Sequence, residues 1–155
     1  MSHQTFLRQA VQLAVDNVKN GGGPFAAIVV KDGKVIAEGV NRVTAQHDPT
    51  AHAEIQAIRA ACQQLRHFQL DDCVLYTSCE PCPMCFGAIY WARLSRVYYV
   101  YNKWDAAAAG FDDQFIYDQL ELVEDKQRIP MQQLTIEHVT SPFAVWQEID
   151  DKIEY

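Results

Sequence analysis

Apolar residues recur three or four positions apart at Phe6, Ala10, Leu13, Ala14 and Val18, which predicts an amphipathic helix beginning after Ser2 and running to about Lys19. Gly21-Gly22-Gly23-Pro24 ends it. No Gly-Lys-Ser/Thr follows these glycines, so they read as a helix-to-strand loop and not as a phosphate cradle. Phe25 to Val30 is an almost unbroken apolar run, as in a central strand covered on both faces. Asp32-Gly33 is a hairpin signal, and Val35 to Val40 supplies the returning antiparallel strand.

Ile55, Ile58, Cys62 and Leu65 place an apolar stripe on a helix from about Ala51 to Leu65, with His52 and Glu54 in its first turn. Cys73 to Thr77 reads as a third strand. Pro81, Cys82 and Pro83 then open a helix carrying Met84, Phe86, Ile89 and Trp91. Arg96 to Tyr101 is a fourth strand, parallel to the third because a helix joins them. The pattern loosens from Asn102 to Gln133, around a short helix at Phe115 to Val123. Leu134, Ile136 and His138 alternate with polar residues as a fifth, edge strand. Ser141-Pro142 starts a last helix, about 142–155, striped with Phe143, Trp146, Ile149 and Ile153. The expectation is one α/β domain, 1–155, of three layers α/β/α around a five-stranded mixed sheet.

Composition adds limits. At 155 residues, 49% hydrophobic and 21% charged, the chain has the size and makeup of one globular domain. No apolar run reaches the roughly 18 residues of a membrane span, and the N-terminal helix lacks a signal peptide's apolar core, which points to a cytoplasmic protein. The net charge is −7, with 13 basic against 20 acidic residues. A protein that grips a nucleic-acid backbone carries a basic face, so a small molecule fits better than a polymer. Five cysteines, odd in number and crowded toward one motif, suit metal binding in a reducing compartment.

The chemistry centres on His52-Ala53-Glu54 and Ser78 to Cys85, SCEPCPMC. Cys82 and Cys85, at i and i+3, share a face of a helical first turn, and with His52 they give three zinc ligands and an open fourth position. Zinc lowers the pKa of water at such a position to about 7. Glu54, two residues from a ligand, is placed to take the water proton and return it to the substrate. His-x-Glu followed by Pro-Cys-x-x-Cys is the signature of zinc-dependent nucleobase deaminases. The competing reading is a structural zinc knot, with Cys79, His47 or Asp48 as fourth ligand. A knot gives no reason for Glu54, and Cys79 lies on the strand side of Pro81, apart from the helical turn. A redox Cys-x-x-Cys is disfavoured by the prolines and the upstream His-x-Glu.

Beyond that motif the chain resembles the bacterial guanine deaminases of the cytidine deaminase-like superfamily. The resemblance spans nearly the whole sequence: GGPF, the segment Gln46 to Glu54 with His47 as a departure, LYTSCEPCPMC, GAIYWAR, AGFDD, SPF and the terminal Glu154-Tyr155. It implies zinc ligation by His52, Cys82 and Cys85, proton transfer by Glu54, and hydrolysis of guanine to xanthine and ammonia. It further implies that Asn41 bonds the purine, that Phe25 walls the pocket and that Asp113 meets the amino region. An ionised carboxylate is an acceptor suited to guanine's amine and ring N–H. Adjacent Asp112 is the other candidate for that contact. Among the aromatics, Trp91 is the best placed to reach the pocket, while Tyr90, Tyr98, Tyr99 and Tyr101 read as core or dimer interface.

The resemblance also implies a homodimer that exchanges C-terminal segments, so that Tyr155 closes the partner's pocket. Ordinary packing of the last helix within its own chain is the other reading. Deamination of cytosine, adenine, an aminotriazine or tRNA adenosine stands as the alternative chemistry, and a zinc-stabilised binding module as the alternative without chemistry.

Overall fold

The computed structural model describes residues 2–155. The chain divides into two compact units, one up to Gln114 and the other Phe115–Tyr155. In the first unit the order is α1 (His3–Lys19), β1 (Ala26–Lys31), β2 (Lys34–Val40), α2 (Val43–Gln46), α3 (Ala53–Leu65), β3 (Cys73–Cys79), α4 (Pro83–Trp91), β4 (Arg96–Tyr101) and α5 (Lys103–Ala108). These bounds follow the periodicity of the sequence closely, because each element has one strongly apolar face to bury.

The four strands form one sheet in the order β2-β1-β3-β4. β1 pairs antiparallel with both β2 and β3, and β3 pairs parallel with β4. The β1–β2 turn has Asp32 at φ 49° and Gly33 at φ 73°, the two positive values that an Asp-Gly hairpin turn requires. β1 is buried along five of its six residues and alternates between two cores. Ala27 and Val29 face a cluster with Ala53, Ala57, Ala61, Leu75 and Ile89, so α3 and α4 cover that side. Ile28 and Val30 face Phe6 and Tyr76, so α1 covers the other. This is the expected three-layer mixed sheet, and only its strand count differs.

The sheet has four strands, not five. Leu134, Ile136 and His138 adopt no ladder among the described residues, and Leu134 and Ile136 remain 74% and 69% exposed. Alternation marks a segment with two unlike faces; a strand also needs a neighbouring edge to satisfy its N–H and C=O groups.

α3 lies very close to the sheet, and Gly39 of β2 makes this possible. A Cβ there would collide with Ala53 O and Ala57 N and stand 3.0 Å from Ala57 Cα. Ala53, Ala57 and Ala61, all fully buried, form the helix side of the same contact. Small residues on both partners let the first turn of α3 rest directly on β2 and β1.

The second unit holds α6 (Gln114–Leu120) from Phe115 onward, a 3₁₀ turn (Glu124–Lys126) and α7 (Pro142–Glu148). Ser141 caps α7, its hydroxyl accepting from Ala144 N. The helix ends at Glu148 and not at Tyr155, because Ile149 turns to extended backbone at ψ 119°. No residue of this unit is buried.

Candidate metal centre and active site

Two helix N-termini meet at the site. His52 is the N-cap of α3 and Cys82 the N-cap of α4, and both have extended backbone, with ψ at 157° and 171°. His52 and Cys82 therefore each stand one position before the first turn in which the sequence pattern puts them. Glu54 does lie in the first turn of α3, and Cys85 in the first turn of α4. Pro83 opens α4 at a position where its missing N–H costs nothing.

His52 Nδ1 lies 3.4 Å from Cys82 Sγ and 3.6 Å from Cys85 Sγ. All three ligand atoms are within 4.8 Å of one another. A tetrahedral zinc with bonds of about 2.0–2.1 Å to nitrogen and about 2.3 Å to sulfur separates N and S by about 3.6 Å, so the triangle fits the ion without rearrangement. His52, Cys82 and Cys85 are the only such group among the described residues. Three ligands leave a fourth position for water, the arrangement of a catalytic and not a structural zinc site.

The cysteines differ sharply in acidity. Hydrogen bonding from Cys85 and His52 pulls the Cys82 thiol down to about 4, against the cost of burial. Cys85 moves the other way, held protonated by its bond to the Cys82 sulfur, by burial and by Glu54. Without metal the two sulfurs thus share one proton, and metal binding releases it. The same Cys82 bond raises the His52 imidazole. Burial pushes Cys73 and Cys79 up to about 11. Cys79 Sγ is turned to Asn102 O at 3.7 Å, which removes it as a fourth ligand.

Glu54 is buried, with 5% of its surface exposed. Its Oε2 accepts from Cys85 Sγ at 3.3 Å, and its Oε1 accepts from Thr77 Oγ1 at 3.3 Å. Burial pushes its carboxyl above the ordinary range. Burial thus makes the protonated form easier to reach than in a solvated carboxylate, which suits a group that acts as acid and base in turn. Thr77 was not singled out by the sequence pattern. Its hydroxyl also lies 3.1 Å from Cys79 O, and a hydroxyl inside an otherwise apolar strand was the available signal.

Asn41 follows β2. Its Oδ1 accepts from Val43 N at 3.2 Å, which turns the amide Nδ2 the other way as a donor. Phe25 meets Phe111 edge to face, with centroids 5.0 Å apart. Asp112 spends its carboxylate on Gln114 N at 2.9 Å. Asp113 is half-buried, and desolvation, with repulsion from Cys82 and Asp112, raises its carboxyl above the usual value. Trp91 ends α4 and is 63% exposed. Tyr155 belongs to the second unit and is 73% exposed.

An apolar groove of about 390 Å³ lies on the first unit between α1 and α5, and Phe25, Ser78, Cys79 and Phe111 line it together with Val15 and Ala106. It includes none of the three metal-site residues, but through Phe25 and Phe111 it borders the side chains expected to wall the base pocket.

Comparison with known proteins agrees with this geometry. Residues 1–101 match the cytidine and deoxycytidylate deaminase zinc-binding region. The chain is 56% identical to the guanine deaminase of Bacillus subtilis over the full length of both, and superposes on its crystal structure with a TM-score of 0.97, covering 100% of this chain and 99% of that one. The guanine deaminase of Nitrosomonas europaea is 36% identical over 70% of this chain and 63% of its own, with a TM-score of 0.67. The tRNA-specific adenosine deaminase of Aquifex aeolicus is 40% identical over 63% of this chain and 64% of its own. The chain therefore belongs to the zinc-dependent cytidine and deoxycytidylate deaminase family and, within it, to the bacterial guanine deaminases.

Proposed function

We infer that this protein converts guanine and water to xanthine and ammonia. The observation that carries the reading is the His52, Cys82, Cys85 triangle with the buried carboxylate of Glu54 against it, in a chain aligned from end to end with a guanine deaminase. Zinc held by the triangle supplies a Lewis acid that acidifies water at neutral pH. With zinc held by the triangle, Glu54 would take one proton from the attacking water and pass it to the ring nitrogen beside carbon 2. It would then take the second proton from the new C–OH and give it to the amine, so that the C–N bond breaks, ammonia leaves and the carbonyl of xanthine forms. Thr77 Oγ1 stands 3.3 Å from Oε1, its one proton shared among that oxygen, Cys79 O and Ala26 O, which leaves Oε2 toward the ligand side for proton transfer.

The base is held by groups that do not react. Asn41 donates from Nδ2 to a ring acceptor, Asp113 accepts from guanine's N–H groups, and Phe25 and Phe111 wall the pocket. Asp113 is preferred over Asp112 because Asp112 already caps Gln114 N. Trp91 and Tyr155 complete the proposed contacts. Incubating the zinc-loaded protein with guanine, cytosine, adenine and tRNA, and following ammonia and the base products, tests the substrate. Turnover of guanine alone or best is expected; turnover of another substrate without guanine overturns the reading.

The chain is further read as a homodimer that exchanges its C-terminal unit, with Tyr155 closing the partner's pocket. Support comes from the unit itself: Ile129, Leu134, Phe143 and Tyr155 are 82%, 74%, 77% and 73% exposed, a surface too apolar to face water. The α1/α5 groove offers an apolar surface of the kind such a unit needs. Mixing Glu54→Ala subunits with subunits lacking Tyr155 should restore about one quarter of full activity, since half the dimers are mixed and each holds one intact site. No recovery despite proven heterodimers overturns the exchange. The five free cysteines suit the cytoplasm, and no described helix is long and apolar enough to cross a membrane.

A further inference from the structure

Asn17 is a buried polar residue, 6% exposed, on the face of α1 that otherwise buries Phe6, Ala10 and Ala14. The zinc chemistry makes no use of it. Its carboxamide Nδ2 donates to Gly23 O at 2.8 Å and to Asn41 O at 3.0 Å. Gly23 O also accepts from Phe25 N at 2.9 Å, and Asn41 N donates to Phe25 O at 3.1 Å. The four bonds close a ring through Asn17, Gly23, Phe25 and Asn41, in which both hydrogens of one side-chain amide are used.

The loop is built down onto that amide. Gly22 N donates to Asn17 O at 2.8 Å, and a Cβ on Gly22 would stand 2.7 Å from Asn17 Cγ. A Cβ on Gly23 would stand 3.0 Å from Asn41 Cγ. Gly22 and Gly23 are thus required by close approach at this clasp and Gly21 by its positive φ of 88°, which accounts for the run that phosphate binding did not explain.

We propose that Asn17 is a positioning residue for base recognition: by clasping Gly23 O and Asn41 O it sets the Asn41 carboxamide and the Phe25 ring at the purine while touching neither substrate nor zinc. This rests on the reading that Asn41 donates to the base. Asn17 holds the backbone on either side of the two side chains that would define one edge and one wall of the pocket. Loosening it lets the Asn41 amide drift, and a bond to substrate decays within a few tenths of an ångström of misalignment.

Asn17→Asp preserves the side chain's shape and removes both donors. The KM for guanine should rise about tenfold, with kcat within about threefold and one zinc retained per chain, since the lost contact is to the bound base and not to the reacting atoms. Gly22→Ala presses on the clasp from the loop side without altering its chemistry, and should show the same KM-dominated pattern; it decides the matter where Asn17→Asp does not fold. In an Asn41→Ala background the Asn17→Asp penalty in kcat/KM should shrink to less than about threefold, because the two act through one contact. An unchanged KM in both variants overturns the proposal, as does an equal penalty in the Asn41→Ala background. If Asn41→Ala alone leaves kcat/KM at the wild-type value, the base contact assigned to Asn41 is wrong, a failure distinct from additivity.

Discussion

Substituting Gly39 should damage a metal site that it does not touch. The added Cβ of Gly39→Ala collides with Ala53 O and Ala57 N, both main-chain atoms of α3 that no side-chain rotation can move. Non-bonded carbon contacts settle at about 3.5–4.0 Å, so α3 has to recede by about 1 Å or more. His52 and Glu54 travel with that helix, whereas Cys82 and Cys85 travel with α4. A shift of this size opens the 3.4 and 3.6 Å nitrogen–sulfur separations beyond what one zinc ion spans. Overpacking of this kind costs about 1–3 kcal/mol, which for a chain of this length lowers the melting temperature by roughly 2–12 °C. Misplacing a catalytic group by about 1 Å can lower the rate by about 10²-fold. The assay pairs zinc content, by atomic absorption after gel filtration, with kcat for guanine. Gly87→Ala is the control: nothing lies within 4 Å of its Cβ, and in the middle of α4 alanine should be neutral or stabilising by up to about 1 kcal/mol. Wild-type zinc content and kcat in Gly39→Ala would refute the claim that close helix–sheet approach sets the ligand geometry.

Further outcomes follow from the same site. Glu54→Gln should lose about 10²–10⁴ in kcat while retaining zinc, read by steady-state kinetics beside metal analysis. Thr77→Val removes the hydroxyl donor to Glu54 at nearly constant volume and should lower kcat with little change in KM; an effect confined to KM would contradict a role at the carboxylate. Cys85→Ser should abolish stoichiometric zinc and activity together, as dialysis against a chelator should, with recovery on adding zinc. If Asp113 takes both of guanine's N–H groups it must be ionised to do so, and its pKa is raised, so KM should climb as pH falls through a value above the ordinary carboxylate range. Asp113→Asn should raise KM at every pH and remove that limb, which a pH series of KM values checks.

The elements that the sequence made legible are those in which one residue pattern has one physical solution. The apolar run of β1 cannot sit anywhere but between two covered faces, and it does. His52, Glu54, Cys82 and Cys85 were identifiable because zinc chemistry restricts residue type and spacing together, and they converge as the spacing implied. The fifth strand was not readable, because alternation at Leu134 and Ile136 reports a preference for two faces and carries no information about a partner edge. The length of α7 was misread for a related reason: Ile149 and Ile153 continue the stripe, but the backbone leaves the helix at Ile149. α5 escaped notice because its capping box, Asn102 with Asp105, sits ahead of an alanine run with no apolar periodicity. Asn17 carried a usable signal, an amide at a core-facing position of α1 three residues after Ala14 and just ahead of three glycines. What it holds, Asn41 O, is far along the chain and could not be inferred from local pattern.

Neither α3 nor α4 has a side-chain hydrogen bond at its N-cap, since His52 and Cys82 are turned to the metal position instead. The ion is then the common fastener of two helix starts thirty residues apart in the chain. Fraying of one first turn and of the other become a single event, whose free energy grows with free zinc as RT ln(1 + [Zn]/Kd). Amide exchange in both first turns should therefore rise together as zinc is buffered downward, before the sheet loosens. Metal supply would then set local order in this protein as well as its chemistry.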